Sequence, residues 1–447
     1  MSASRARVGA WTAPITPAPG HELAGYAART SGADGAHDEL TCRVVVFGHG
    51  DATLVLVVLD LLYVPAALAA SVRAGVAREL AVPAAGVMVA ATHTHCGPVV
   101  GLGHDALRAE LTRTAVSAAA AAGRSAREAE LRHVRFDVAG LVHNRRDPAG
   151  PLDDTGTALV AVDAAGETVV SLVNLACHPT VLGPGMTSYS RDFPGALCDT
   201  VEAACGGRAV FLQGFAGDVN PLIHDQGAAD MRLFGRQLGV RAADAILTAA
   251  RACLPNRTIN LSLDRELPVR LDRRHTTVDV DAVGAGLDEV AVEAKPSVAP
   301  ERIRQELAAA RAAVDEAPTD AARDRVAATA QAWWIEDLLA GRPSYLCVDF
   351  PPPEGATLPV QVFTLGGRFH IVALPGEPLT ASADLLRREL GEQLLLVGYA
   401  NGAASYLPEL GEFARSGYEV GSTRYAPGTV ERLTAAALTL ARGDDAR

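Results

Sequence analysis

Lysine is nearly missing from this 447-residue chain: of 40 basic side chains only Lys295 is a lysine, and it stands in the charged stretch 289–301. Chemistry built on a lysine amine, whether a Schiff base or a Gly-Lys-Ser/Thr phosphate loop, has almost nowhere to sit. Aromatic residues make up only 5% of the chain. The seven cysteines, at 42, 96, 177, 198, 205, 253 and 347, include no Cys-x-x-Cys pair and read as free thiols. Long apolar runs are also lacking. The longest, around Leu54–Val64, is interrupted by Asp60 and is too short to span a bilayer, and the N-terminus carries Arg5 and Arg7 without the apolar core of a signal peptide. Basic runs are absent, and 52 acidic against 40 basic residues leave a net charge of −12, which argues against nucleic acid and anionic membrane surfaces as partners. These absences lead us to expect a cytoplasmic protein with no stable membrane insertion and a small-molecule substrate.

What is present is a large reserve of core: 49% of the residues are hydrophobic, ample for one large domain over 1–447. Apolar runs alternate with Ala-rich stretches, which predicts a mixed α/β fold. Two strands, "CRVVVFG" and "ATLVLVVLD", meet at a Gly-His-Gly-Asp turn at 48–51, and helices are expected over about 65–80, 105–122, near Phe193, over 228–250 and over 429–441. Strands are expected over 131–176, at "AVFLQGF", over 257–281, and at "LPVQVFTLGG" and "FHIVALPGEP". Between about 300 and 340, two charged Ala-rich segments separated by Pro-Thr-Asp predict an inserted helical hairpin packed outside the sheet.

The stretch "VMVAATHTHCGP", Val87–Pro98, ends an apolar run with two histidines two residues apart. On an extended strand His93 and His95 share a face, so two imidazoles converge where Cys-Gly-Pro turns the chain. Three further clusters put polar groups at the ends of apolar runs, where loops gather function. They are His178 in "NLACHPTVLG", Glu377 in "ALPGEPLTA", and Tyr406 and Tyr418 in a Gly-rich loop. Each has an ordinary structural reading, a buried histidine before proline or a glutamate at a helix N-terminus. Together, two histidines, a glutamate and a tyrosine form an N/O donor set that suits zinc with a position left for water. Asp60, at a strand end, reads either as an acceptor that orients an imidazole or as a helix cap or turn residue, and Asp192 reads as a helix N-cap. Two rivals stand beside the metal reading: a cysteine acyltransferase built on Cys96 beside His95, and a binding protein with a degenerate pocket.

The motifs "AGYAART" at 24–30, "ATHTHCGP", "NRRDP" at 144–148, "ACHPT", "GFAGDVNP", "LPGEP" and "GYANG…YLPE…GYEVGST" follow one another over nearly the whole chain. In this order they resemble the neutral ceramidases and their short bacterial relatives. The resemblance implies one zinc bound by His93, His178, Glu377 and Tyr406, with His95 and Tyr418 facing the scissile amide and Arg145 as the arginine of the Asn-Arg motif. It also implies a hydrolase of linear amides, such as N-acyl amines, that uses metal-activated water; esterase, lactonase or acyltransferase chemistry are the variants of that reading. Three departures weigh against ceramide as the substrate. Asn220 stands where ceramidases have a serine, and the protein is expected to lack both the C-terminal β-sandwich domain of the full-length enzymes and a secretion signal. An amide side chain is a very poor nucleophile but a good hydrogen-bond donor, so Asn220 is expected to assist an oxyanion and not to carry an acyl group.

Overall fold

The computed structural model describes residues 5–251 apart from 27, 28, 30, 102 and 224. It further describes the segments 257–260, 265–268 and 275–295, six positions between 304 and 312, and 355–443 apart from 416. Apart from those six positions, the expected hairpin at 300–340 lies outside the described residues. A mixed sheet contains β1 (Ala6–Pro14), β2 (Thr41–His49), β3 (Ala52–Leu59), β4 (Val87–Ala91), β5 (Arg127–Asp137), β6 (Thr155–Asp163), β7 (Thr168–Leu175), β8 (Arg208–Gln213) and β9 (His275–Val278). Its order is β8-β7-β6-β5-β1-β2-β3-β4, with β9 paired to β5. A second sheet runs β10 (Val283–Ala291), β11 (Thr357–Leu365), β12 (Phe369–Ala373) and β13 (Leu394–Val397).

The apolar residues sort the sheets into layers. Val44, Val46, Val55 and Val57 point into one core with Leu68 and Val72 of α1 (Ala66–Leu80) and Leu107 and Leu111 of α2 (Asp105–Ser125). Their neighbours Val45, Phe47, Leu54 and Leu56 point the other way, onto Phe363, Phe369, Ile371 and Leu395 of the second sheet. Farther along, Val160, Val173 and Phe211 meet Phe193 and Leu197 of α3 (Asp192–Cys205) and Phe234 and Leu238 of α4 (Ala228–Arg251). The outer face of the second sheet, with Val360, Val362 and Leu396, is covered by Leu386 of α5 (Thr380–Leu390) and Leu433 of α6 (Thr429–Arg442). The result is four layers, helix, sheet, sheet, helix. A strand buried on both faces needs apolar residues at every position, which is why "CRVVVFG" shows a continuous run and no alternation. Among the described residues no helix is long and apolar enough to cross a membrane.

Three βαβ crossovers orient the molecule. β3 and β4 run parallel around α1, β7 and β8 around α3, and β12 and β13 around α5. A parallel pair needs such a crossover, and ligands of open α/β sheets gather beyond the strand C-termini. Here the chain leaving β3, β4, β7, β12 and β13 carries, in turn, Tyr63, His93, His178, Glu377 and Tyr399.

The two aspartates singled out in the sequence take structural roles. Asp60 accepts hydrogen bonds from the Thr41 amide and hydroxyl and from the Thr92 hydroxyl, so it ties strand ends together and touches no imidazole. Asp192 is not an N-cap: it is the first residue of α3, behind Arg191, with a left-handed φ of 53°. Its carboxylate accepts from the amides of Leu182 and Phe193, and burial pushes its pKa up to about 7.

The helix pair α3 and α4 packs closely because α4 offers Gly235 and Gly239. A methyl group on Gly235 would lie 2.6 Å from Ala196 Cβ and 2.7 Å from the Phe193 carbonyl. Gly235→Val is therefore expected to lower the unfolding free energy by about 1–3 kcal/mol through forced separation of the helices. Denaturant titration measures this, and an unchanged midpoint would show that the pair has room to spare.

Candidate metal centre

Strand β4 stops at Ala91, before the histidine pair, and this corrects the reading in which His93 and His95 share a strand face. The chain turns away at Thr92, and His93 adopts a left-handed backbone with φ 67°. Such a conformation costs a non-glycine residue roughly 1–3 kcal/mol, so its surroundings must hold it. The Nδ1 of His93 lies 2.9 Å from the Leu62 carbonyl oxygen. Tyr399 packs on its ring at 4.0 Å and Tyr63 at 5.3 Å between centroids.

His178 is set in the same manner. Its Nδ1 lies 2.7 Å from the Ala216 carbonyl oxygen, and its own amide bonds to Val219 O. Glu377 reaches the site through the tight Pro-Gly turn of "LPGEP". Gly376 has φ 70°, and a Cβ there would come within 2.2 Å of the Ser405 carbonyl that accepts the Glu377 amide. Only glycine fits at that position.

These anchors aim three atoms at one point. Glu377 Oε2 lies 3.1 Å from His178 Nε2 and 3.5 Å from His93 Nε2. Each neutral imidazole has one N–H, and in both rings the carbonyl beside Nδ1 takes it. The two Nε2 atoms therefore present lone pairs to a carboxylate oxygen, an arrangement that calls for a cation between them. Burial pushes the His178 pKa down to about 4, with Arg145 adding to the effect, so the ring is neutral at pH 7 and able to ligate. Burial would raise the Glu377 carboxyl, but positive charge at His93 and His178 would hold it well below the usual carboxylate range. Glu377 Oε1 accepts from the hydroxyl of Tyr63, and Tyr399 lies 3.5 Å from Oε2.

His95 joins this group on different terms. Its Nε2 is 3.4 Å from His93 Nε2, and the nitrogens of His93, His95 and His178 all lie within 4.8 Å of one another. Its Nδ1 is buried with no hydrogen-bond partner. Gly25 lies against the ring, where a Cβ would come within 2.7 Å of His95 Cγ, and the Tyr26 ring packs on it tilted, with centroids 4.9 Å apart. Burial and the neighbouring imidazoles hold the pKa of His95 well below its ordinary value.

A charged rim borders the imidazoles. Arg145 donates from Nε to Glu419 at 2.8 Å, from Nη2 to the Tyr406 hydroxyl at 3.0 Å and from Nη1 to Asn220 Oδ1 at 3.4 Å. The guanidinium stays charged in spite of burial because Tyr406 and Glu419 lie against it. Tyr406 pairs backbone to backbone with Glu377, which brings it beside the centre, although its hydroxyl is engaged by Arg145. Tyr418 begins the short helix Tyr418–Ser422 and packs on Tyr406 at 5.5 Å; burial pushes its phenol up to about 12. Arg146 bridges Glu419 and Glu412, and Arg415 joins Glu412 to Asp147.

The structure thus brings together His93, His95, His178 and Glu377, and sets Arg145, Asn220, Tyr406 and Tyr418 around them. Sequence reasoning missed Tyr63, Tyr399 and Glu419. Tyr63 is hidden at the end of the apolar run "LVLVVLDLLYV", whereas Glu419 directly follows Tyr418 and was within reach.

The fold described here is that of the neutral ceramidases. A solved ceramidase complexed with C2 matches 98% of this chain and 75% of its own with a TM-score of 0.72 at 20% identity. The neutral ceramidase from Pseudomonas aeruginosa matches 99% of this chain and 75% of its own with a TM-score of 0.70, also at 20% identity. No protein-family profile matches the sequence. No curated protein is similar to it in sequence.

The cysteine rival fails on the environment of Cys96. The thiol is buried, its sulfur accepts from Arg29 Nη2 at 3.3 Å, and burial pushes its pKa up to about 12. A thiol at that value supplies almost no thiolate at pH 7. Native protein treated with iodoacetamide at neutral pH should leave Cys96 unmodified in peptide mass spectrometry, and rapid alkylation there would restore it as a nucleophile.

Proposed function

We propose that this chain is a zinc-dependent hydrolase of a linear amide bond, acting on a small N-acyl amine other than ceramide. The observation that carries the reading is the meeting of His93 Nε2, His178 Nε2 and Glu377 Oε2, three acceptors with no hydrogen to share among them. Neutral N and O donors with outer nitrogens tied to carbonyls are the surroundings zinc favours. Tyr406, paired with Glu377, is the fourth group of the set. The fold shared with ceramidases favours an amide as the bond cut. A bound zinc would supply Lewis-acid polarisation of a carbonyl and acidification of water to a pKa of roughly 7.

The remaining steps belong to the side chains. His95, neutral at pH 7, accepts a proton from water as the acyl carbon is attacked and returns it to the amine nitrogen as the C–N bond breaks. Its unpartnered Nδ1 suits a ring that changes protonation, whereas His93 and His178 are locked by their carbonyls. Tyr418, protonated throughout, donates to the developing oxyanion. Arg145 holds the Asn220 oxygen, which turns the amide NH2 outward as a further donor. The absence of a hydroxyl at 220 removes the serine nucleophile from consideration, so no acyl-enzyme forms there.

Metal analysis of purified variants tests the assignment. His93→Ala and His178→Ala are expected to lose both zinc and activity, while His95→Ala keeps zinc and loses turnover by about 10²- to 10⁴-fold. Zinc lost from the His95 variant but kept by the His93 variant would reverse the roles.

Asn220→Ala should slow hydrolysis of an N-acyl amine on the order of 10²- to 10³-fold, the usual loss for one preorganised oxyanion donor. Enzyme quenched in turnover should carry no acyl group by intact-mass spectrometry; a stable adduct on any side chain would overturn direct attack by water.

A further inference from the structure

We propose that Tyr63 is a positioning residue for the Glu377 carboxylate and sets how tightly the centre holds its cation. This inference rests on the metal reading above. Its ground is a division of labour between two oxygens. Oε2 faces His178 and His93, while Oε1 accepts a hydrogen bond from the Tyr63 hydroxyl. A carboxylate with both oxygens free can rotate and offer either one, or both at once. Claimed by the phenol, Oε1 is withdrawn, and Oε2 alone is left toward the imidazoles.

The position of Tyr63 in the chain strengthens the case. Residues 60–62 form the bend that follows β3, and this bend with Tyr63 directly after it serves two members of the centre at once. The Leu62 carbonyl holds Nδ1 of His93, and the next residue holds Glu377 from the other side. Tyr63 is fully buried and packs edge-on against the His93 ring, so it has no freedom to leave. Tyr399 is the weaker partner. Its hydroxyl is 3.5 Å from Oε2, at the limit of a hydrogen bond, and its main contact is the face of His93. Removing an outer hydrogen bond of this kind from a ligand typically weakens metal affinity about 10- to 100-fold.

The test is zinc affinity by competition with a chromophoric chelator, using the full chain and no substrate. Tyr63→Phe is expected to raise the zinc dissociation constant by about 10- to 100-fold. Tyr189→Phe removes another buried hydroxyl, bonded far away to Ala18 O, and should leave affinity unchanged. In a Glu377→Ala background the Tyr63→Phe effect should vanish, because a residue acting through the carboxylate has nothing left to position. Tyr63→Phe affinity within about twofold of the parent overturns the proposal, as does an equal loss in Tyr189→Phe or a full effect in the Glu377→Ala background. If Tyr63→Phe fails to fold, Tyr63→Leu removes the donor at the same place with a smaller apolar side chain. That variant must bind zinc more weakly than the parent, and parental affinity in it overturns the proposal. A parent chain that takes up no zinc overturns the metal reading itself, and with it this inference; a parent that binds zinc while Tyr63→Phe binds equally well refutes only the role of Tyr63.

Discussion

A carboxylate oxygen 3.1 Å from one imidazole lone pair and 3.5 Å from another is stable only with positive charge between them. Much of the surrounding architecture can be understood as the means of keeping those three acceptors together. Their chain segments are 93, 178 and 377, far apart in sequence, and no local motif could assemble them. Three βαβ crossovers do, because each parallel pair must deliver both of its strand ends to the same edge. Packing of one sheet on the other then brings the ends of β4 and β7 to face the ends of β12 and β13. The four-layer fold is thus the scaffold for a single point of convergence.

Holding the point has local costs that the scaffold offsets. His93 is left-handed, as are Tyr399, Asn401 and Ser405 in the loop that packs against it. Non-glycine residues seldom adopt that conformation without strong surrounding constraint. The constraint is visible: the Ala91 amide bonds to Tyr399 O, the Asn401 amide to Val89 O, and the Tyr399 amide to Gly376 O. These bonds tie the two loops and the "LPGEP" turn into one block. Strain concentrated in such a block favours a site whose ligands are set before any cation arrives.

How much of this could be read from the sequence depends on what kind of information each residue carries. His93, His178 and Glu377 were legible because each follows an apolar run directly, and strand ends are where polar groups collect. The geometric reason given for the histidine pair was wrong, since period-two logic applies only while the strand continues and it ends at Ala91. Tyr63 was illegible: in sequence it is one more large residue in a buried run, and only its hydroxyl, pointing at Glu377, sets it apart. The helix, sheet, sheet, helix layering was equally hidden. Strands buried on both faces erase the alternation that tells one face from the other. Asp192 shows the opposite error, a residue whose place before a helix implied a cap, while its carboxylate turned back to the Leu182 amide.

The two tiers of the centre have different electrostatic characters, and the difference bears on substrate choice. Inside, His93 and His178 are locked to backbone carbonyls, so their rings vary little with what binds. Outside, Arg145, Arg146, Glu419, Glu412, Arg415 and Asp147 form an alternating chain that starts beside Asn220 and ends on exposed surface. Charge pairs of that kind discriminate between partners more than they add raw affinity. On the proposed hydrolase reading, the inner tier would set the chemistry, and the outer tier, beginning with the Arg145 and Asn220 pair, is where selection among substrates should be sought. A serine at 220 would lack the amide oxygen that accepts from Arg145 here. On the proposed reading, the asparagine would therefore alter the rim as well as remove a hydroxyl, which would place reaction route and substrate preference under the same residue.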